Sequence, residues 1–307
     1  MVYETLKVFT RFGRGPTTEA GGAIAENVMR DLVYKKSDLI EIGTRLLPSK
    51  PYPVLEKQFE FPSEMTADYP VANQGLSTRQ RISWSTYNIL LEQAQVRFMF
   101  ADTAILRGVR DETKVKTIRR AGEAMATAVD DNIIDAIEGG INDSNTVTVA
   151  TGSEWNAGGV DTDIQRNIKD GWNNIFKNSN IQLEEIKSLN LLVPAAVYGE
   201  FLENQLIGNV TQTLKAYLGN SDGFGINNIY PSRHASLTDS AYLVVNSDET
   251  GEYAELKTSV IPMEESQRIF GKGDDFLVKK WFNSVIVPAS SSVTTTYRIA
   301  KIDNVVA

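Results

Sequence analysis

The sequence predicts an α+β fold in which an extended two-stranded β arm leads into one long amphipathic helix. Residues 55–61 and 93–100 alternate apolar and polar side chains with a period near two, as strands with one covered face do. Residues 111–138 carry apolar side chains every three or four positions, which indicates a helix. Because an arm of this length has no core of its own, we expect another copy of the chain to cover its apolar face.

Composition and charge narrow the class of protein. The chain has 307 residues, of which 42% are hydrophobic and 23% charged, a composition typical of a globular protein with about two domains. It has no cysteine, so disulfides, thiolate zinc sites and cysteine nucleophiles are excluded. The net charge of −8 argues against a dedicated reader of nucleic-acid sequence. No apolar run approaches the ~18 residues of a membrane helix, so we expect no membrane partner.

The chain before the long helix is predicted to comprise a loose segment, a short helix and the β arm. Residues 1–17 show little periodicity, whereas residues 18–33 place apolar side chains at helical spacing. Three prolines in residues 48–53 favour a stiff, extended connection into the arm, residues 54–102. The tip of the arm, residues 63–78, is polar and rich in breakers. The apolar residues of its return strand switch parity twice, between Trp84 and Tyr87 and again after Leu91, which predicts bulges or bends.

The long helix carries signals at both ends. Asp111 is a fair N-cap, and Gly139-Gly140 are expected to supply a left-handed stop. The acidic pair Asp130/Asp131 is expected on the solvent side of the helix. One apolar stripe runs along about seven turns and consists of Val115, Ile118, Gly122, Met125, Val129, Ile133 and Ile137.

The remaining elements are predicted from shorter patterns. A second helix is expected over residues 161–177, and residues 191–193 are interpreted as a short buried strand. Pro194 is expected at the first position of a helix, where its missing N–H costs nothing. The inward-facing residues of that helix would be Val197, Phe201 and Leu202. Short strands are expected over residues 211–260, 276–287 and 293–302.

The sequence offers little for a catalytic centre. His234 is the only histidine, so a Ser-His-Asp triad would have to include it, and an ordinary surface or turn histidine is the simpler interpretation. A zinc site needs more His or Cys ligands than the chain supplies. Carboxylate pairs such as Asp161/Asp163 leave a cation site of oxygen ligands open, although capping of the following helix explains that pair better. We therefore predict no catalytic residues and no cofactor.

The order of these elements resembles that of the major capsid proteins of tailed bacteriophages and related archaeal viruses, which share the Hong Kong 97-type fold. The resemblance covers essentially the whole chain and rests on element order, lengths and breaker placement. Its most characteristic local stretch is Leu191-Leu-Val-Pro-Ala-Ala-Val-Tyr. It implies four regions, namely an N-terminal arm (1–52), an extended β-hairpin called the E-loop (53–102), a peripheral domain with the long spine helix (103–200 and 261–307) and an axial domain (201–260).

The resemblance also implies a function and a set of partners. Copies would assemble into pentamers and hexamers that close an icosahedral shell around double-stranded DNA, which is held without sequence specificity. The chain would reside in the virion after assembly in the host cytoplasm with a portal. Because the chain starts with Met1 almost at the N-terminal arm, a separate scaffolding protein is expected. Contacts between subunits are expected from Phe59, Phe61, Arg79, Arg81, Trp84 and Tyr87.

One departure from the family concerns covalent linkage. Some members join an E-loop lysine to an asparagine of another subunit. In this chain no lysine lies between Lys57 and Lys114, so the tip of the arm cannot supply one. We therefore expect a shell held together non-covalently.

Two other functions stay open at this point. An encapsulin-type nanocompartment would share the fold but enclose a cargo enzyme, and the nucleic-acid absorption of purified particles would distinguish it from a viral capsid. A carboxylate-dependent hydrolase with a hairpin appendage would instead require a discrete cleft lined by Asp or Glu side chains.

Overall fold

The computed structural model describes thirteen parts of the chain, residues 31–37, 41–62, 84–101, 111–157, 163–179, 181, 188–207, 210–219, 225–234, 237–257, 267–269, 273–289 and 294–307. Their helices are α1 (Asp111–Gly139), α2 (Ile164–Asn178) and α3 (Leu214–Gly219), and residues 31–37 are also helical. No helix in these parts is both long enough and apolar enough to cross a membrane.

The strands form two five-stranded sheets and two hairpins. The first sheet has the order β1-β11-β13-β12, with β4 also paired to β13; its strands are β1 (Ser49–Tyr52), β4 (Glu92–Ala101), β11 (Gly251–Leu256), β12 (Gln267–Ile269) and β13 (Gly273–Ile286). The second sheet has the order β5-β14-β10-β6-β9; its strands are β5 (Thr146–Thr148), β6 (Leu189–Pro194), β9 (Ile226–Ser232), β10 (Ala241–Val245) and β14 (Ile299–Asp303). The hairpins are β2 (Glu56–Pro62) with β3 (Trp84–Leu90), and β7 (Asn204–Ile207) with β8 (Val210–Thr213).

The two sheets are joined through α1. One buried cluster contains Val129, Ile133 and Ile137 of α1, side chains of the second sheet such as Tyr242, and side chains of the first sheet such as Phe282. The opposite face of the second sheet packs under α2 and α3 in a separate cluster. The predicted α+β class is confirmed, and α1 packs against apolar side chains of both sheets.

The predicted arm is real, but one of its strands was assigned to the wrong partner. Residues 56–62 pair with residues 84–90 in an antiparallel ladder. Residues 93–100, predicted to return along the arm, instead belong to β4 and pair with β13 in the first sheet. The apolar side of β4 packs against α1 in a cluster with Ile118 and Met125. The alternation of apolar and polar residues in β4 therefore reflects a strand face that α1 of the same chain covers.

The two predicted parity switches have different outcomes. The switch after Leu91 is confirmed, because Leu91 lies between β3 and β4 and interrupts the strand. The switch between Trp84 and Tyr87 does not produce a bulge, because the β2–β3 ladder keeps one register from Pro62–Trp84 to Glu56–Leu90. Leu91 is thus the point at which the chain leaves the arm and enters the first sheet.

The long helix is confirmed, but its glycine stop works differently. Ile118, Met125, Val129, Ile133 and Ile137 are buried as predicted. Neither glycine at its end adopts a left-handed conformation; in the described chain, positive φ among glycines occurs at positions 152 and 225. At Gly140 an added Cβ would lie 2.7 Å from three atoms of Ile286. Close packing on β13, and not backbone twist, therefore requires glycine at this position.

Asp130 also departs from the prediction that it faces solvent. Its Oδ1 accepts backbone hydrogen bonds from Ile42 N at 2.9 Å and from Gly43 N at 2.7 Å. The carboxyl group therefore fastens the turn before β1 to the middle of α1.

The shorter elements show where local patterns misled. Pro194 ends β6, and the chain continues as a turn and a 3-10 helix, Tyr198–Phe201, so no α-helix begins at Pro194. Val197 and Phe201 are buried as predicted, whereas Leu202 is 51% exposed. Asp163 caps α2 by accepting from Arg166 N at 2.9 Å, which confirms the capping interpretation. Asp161, most of the helix predicted over residues 18–33 and the whole of the arm tip, residues 63–78, lie outside the described residues.

A side chain at Gly122 is expected to destabilise the subunit, because α1 approaches residues 31–37 closely there. An added Cβ would lie 2.7 Å from Lys36 Cβ and 3.2 Å from the Val33 carbonyl oxygen. We expect Gly122→Ala to lower the free energy of unfolding by about 1–2 kcal/mol, because a clash of about 1–3 kcal/mol outweighs the helix propensity gained. Gly139→Ala is the control, since no atom lies within 4 Å of its added Cβ. Urea titration of both variants that showed equal stabilities would contradict the prediction.

Candidate intersubunit surface

The register of the β2–β3 arm divides its residues between two faces. Side chains of directly paired residues share a face, and successive pairs alternate between the two faces. One face carries the pairs Lys57–Ile89, Phe59–Tyr87 and Phe61–Ser85. The other carries Glu56–Leu90, Gln58–Asn88, Glu60–Thr86 and Pro62–Trp84. By register, one side of the arm holds the aromatic positions 59, 61 and 87, here called the aromatic face, and the other holds mostly polar positions, here called the polar face.

The residues predicted to contact another subunit fall into three groups. Phe59, Phe61 and Tyr87 occupy the aromatic face, which the register brings together. Trp84 occupies a position on the polar face. The two arginines, Arg79 and Arg81, lie outside the described residues. The contacts themselves stay a prediction, because the structure describes a single chain.

The root of the arm packs on the body of the protein through its aromatic face. Ile89 and Leu91 are 2% and 6% exposed. They share a buried cluster with Tyr52 of β1, with Ala254 and Leu256 of β11, and with Val285 of β13. The amide of Asn283 also donates to the Leu90 carbonyl oxygen at 2.8 Å. The arm is therefore seated on the first sheet at its root.

A chain of polar contacts runs beside this apolar seat. Lys57 Nζ donates to Tyr52 Oη at 2.9 Å, and Tyr52 donates in turn to Glu252 Oε1 at 2.5 Å. Lys50 Nζ lies 3.3 Å from Glu252 Oε2 and 3.0 Å from Asp248 Oδ2. Burial, reinforced by the hydrogen bond to Glu252, raises the pKa of Tyr52, so its hydroxyl keeps its proton.

Sequence reasoning missed this polar chain, because Tyr52 and Glu252 are 200 positions apart. The one available signal was Lys57, a cation within an otherwise apolar strand face. A charged residue at such a position needs a partner, which the structure supplies.

The polar face of the arm becomes apolar at the root. Leu90 is 61% exposed, and Val54 and Leu55 in the adjoining link are 53% and 46% exposed. Leu91 N donates to the Leu55 carbonyl oxygen at 2.8 Å, which holds the two links of the arm side by side. Three exposed apolar side chains therefore lie at the root of the arm.

His234 lies elsewhere and serves a structural contact. Its Nε2 is 3.2 Å from Asp131 Oδ1 and 3.7 Å from Asp135 Oδ1, both on α1. With 11% of its side chain exposed, it is more buried than the predicted surface histidine. It connects the chain after β9 to α1. Across the described parts of the chain, no group of three or more His, Asp or Glu side chains is placed to hold a metal ion.

Comparison with known proteins agrees with this architecture. The family model described as phage capsid protein matches residues 91–296, more than half of the chain. The chain belongs to the phage capsid protein family. The resemblance found in the sequence is thereby confirmed, and the family places this capsid protein in the virion as a structural component of the capsid. No curated protein sequence matches the chain.

Solved structures show the same fold at low sequence identity. A virus-like particle from Pyrococcus furiosus is 11% identical, with a TM-score of 0.59, covering 91% of this chain and 99% of that chain. A phage-related protein from Bordetella bronchiseptica RB50 is 12% identical, with a TM-score of 0.59 and coverages of 90% and 96%. The capsid of the cyanophage P-SCSP1u is 12% identical, with a TM-score of 0.58 and coverages of 84% and 86%. The likeness at this identity concerns the fold.

Proposed function

We propose that this capsid protein assembles into pentamers and hexamers of an icosahedral shell that encloses double-stranded DNA. In each copy the β2–β3 arm lies over a neighbouring subunit, and packing and ion pairs hold the shell without covalent links. The protein is a structural component and not an enzyme. Assembly takes place in the host cytoplasm with a portal and a separate scaffolding protein.

The arm carries this proposal. An isolated two-stranded hairpin is at best marginally stable in water, so its aromatic face needs a cover beyond the seat at its root. Phe59, Phe61 and Tyr87 continue that face outward from Ile89. Each large apolar side chain fully buried by a neighbour would contribute ~1.5–3 kcal/mol before ordering costs. Repeated around a closed shell, such contacts suffice without a cross-link.

The regions implied by the family complete the proposal. Residues 1–52 form the N-terminal arm and residues 53–102 the E-loop region, in which β2 and β3 make the extended arm and β4 continues the chain into the first sheet. Residues 103–200 and 261–307 form the peripheral domain, and residues 201–260 form the axial domain at the five-fold and six-fold positions. The net charge of −8 suits a container that must release its DNA.

Assembly of the full-length chain, produced both alone and together with the proposed scaffolding protein, tests the proposal. We expect closed particles in electron micrographs, and we expect the double variant Phe59→Asp/Phe61→Asp to stay as folded subunits, because charge on the aromatic face opposes burial. Gln58→Asp is the matched control, since Gln58 is exposed on the polar face and its variant should assemble. A wild-type chain that never forms particles, or a double variant that assembles normally, would refute the proposed role of the arm.

The contents and linkage of authentic particles test the finer points. DNA-filled particles that dissociate into single chains on a denaturing gel are expected. Particles that hold a cargo protein in place of DNA would support the nanocompartment alternative, and ladders of linked chains would contradict the non-covalent shell.

A further inference from the structure

We propose that Lys57, Tyr52 and Glu252 are positioning residues that set the angle at which the arm leaves the body, and through that angle the curvature of the shell. The claim about shell curvature rests on the proposed function. The claim about the angle of the arm concerns the single subunit and rests on the geometry at the root of the arm.

The arm joins the described body through two short links. Residues 53–55 connect β1 to β2, and Leu91 connects β3 to β4. The hydrogen bond from Leu91 N to the Leu55 carbonyl oxygen, 2.8 Å long, keeps the two links together. Rotation of the arm about this pair of links would break few backbone contacts, so side chains must fix its direction.

Lys57 is placed to fix that direction. It lies on β2, paired with Ile89, in the second pair of the ladder from the links. Its Nζ donates to Tyr52 Oη at 2.9 Å and also lies 4.1 Å from the centre of the Tyr52 ring. A hydrogen bond at the rim of the Tyr52 ring and a cation–π contact over the same ring constrain both the distance of Lys57 from the ring and the tilt of β2 relative to it.

Tyr52 and Glu252 make the anchor rigid. Tyr52 is the last residue of β1 and Glu252 is the second residue of β11, and these two strands of the first sheet pair in parallel. Tyr52 is 9% exposed and Glu252 is 5% exposed, so both are held by packing. Lys50 and Asp248 continue the chain of contacts and balance its charge, two cations against two anions. Hydrogen bonds linked in this way polarise and strengthen each other.

A small change at this root becomes large at the far end of the arm. The seven residues of β2 extend roughly 23 Å at ~3.3 Å per residue. A tilt of about 10° would therefore move the end of β2 by about 4 Å, enough to misplace a packed side chain. Leu55 and Leu90, the exposed apolar residues at the root, would shift less. The three residues Lys57, Tyr52 and Glu252, together called the clasp, would therefore mainly control the position of the distal aromatic face.

The test compares Lys57→Met and Tyr52→Phe with the wild type. Both variants keep the apolar bulk and lose the hydrogen bond between Lys57 and Tyr52. Lys57→Arg should keep a donor to Tyr52. Lys215→Met is the matched control, because Lys215 makes the same kind of contact with Tyr198 away from the arm. Hydrogen exchange on unassembled subunits should show the Leu91 amide exchanging at least tenfold faster in Lys57→Met and Tyr52→Phe. Wild-type, Lys57→Arg and Lys215→Met subunits should exchange equally slowly.

Particle diameters then test the link to curvature. We expect the two clasp variants to give a broadened or shifted distribution of diameters and at least a twofold loss of closed particles, with unfolding midpoints close to wild type. If the Leu91 amide exchanges equally fast in the wild type and in the two variants, these residues do not fix the direction of the arm. If the exchange rate changes but the particle diameters do not, they have no effect on the curvature of the shell. A wild-type chain that forms no particles, either alone or together with the scaffolding protein, refutes the proposed function and its link to curvature, while the exchange data still decide whether the three residues hold the arm.

Discussion

Replacing Lys280 with methionine is expected to lower the free energy of unfolding by about 3–5 kcal/mol, because the change strands a buried carboxylate. Lys280 Nζ lies 2.9 Å from Glu41 Oε1, and the two side chains are 8% and 3% exposed. Ser37 also donates to the Glu41 carboxylate, but a hydroxyl supplies no charge. Urea unfolding of the unassembled subunit measures the loss. The pair connects the chain before β1 to the middle of β13.

Two further variants separate the ion pair from general damage to β13. Lys279→Met changes the neighbouring lysine, which is half-buried on the other side of the strand, and should cost under about 1 kcal/mol. The double variant Glu41→Leu/Lys280→Met should recover most of the lost stability, since it removes both charges together. A double variant no more stable than Lys280→Met alone would show that packing, and not the stranded charge, accounts for the loss.

Replacing Asp130 with asparagine is expected to stabilise the subunit above pH 7 and to leave it unchanged near pH 4. Burial raises the pKa of Asp130 to about 6, against the two backbone hydrogen bonds that favour its ionised form. A carboxyl group that is harder to ionise when folded contributes stability below its unfolded pKa of 3.8, and loses it as the pH rises through about 6. The loss amounts to about 3 kcal/mol at pH 8.

Asparagine keeps the oxygen that accepts from Ile42 and Gly43 but cannot ionise. The stability of Asp130→Asn, measured by urea titration between pH 4 and pH 8, should therefore lack the decline expected of the wild type. Glu138→Gln, an exposed change on the same helix, is the control and should follow the wild-type profile. Parallel profiles for Asp130→Asn and the wild type would show that the carboxyl group ionises without penalty.

The elements predicted best are those whose signals are local. α1 and α2 follow from the spacing of apolar residues and, for α2, from the Asp163 cap, because a helix makes its backbone hydrogen bonds within itself. The arm follows from alternation for the same reason. Strand partners depend on distant segments, and alternation in residues 93–100 shows that a face is covered without showing which surface covers it. The pairing with β13, far along the chain, could not be derived from spacing.

The polar residues of the candidate surface show the same limit. Lys57 stood out as a charge among apolar neighbours, but Glu252 is one acidic residue among the 39 in the chain. Asp130 looked like a solvent-facing member of an acidic pair, because the turn that covers it lies 87 positions away. Pro194 followed a local rule for helix starts, but the sheet holds it as the end of β6. In each case tertiary contacts outweighed the local preference.

The cluster that joins α1 to both sheets has a consequence for how the molecule unfolds. Val129, Ile133 and Ile137 are shared by the two sheets, so neither sheet can open without exposing the same helix side chains to water. Separating the sheets therefore also removes the packing that stabilises α1. We therefore expect the two sheets and α1 to unfold together as one cooperative unit.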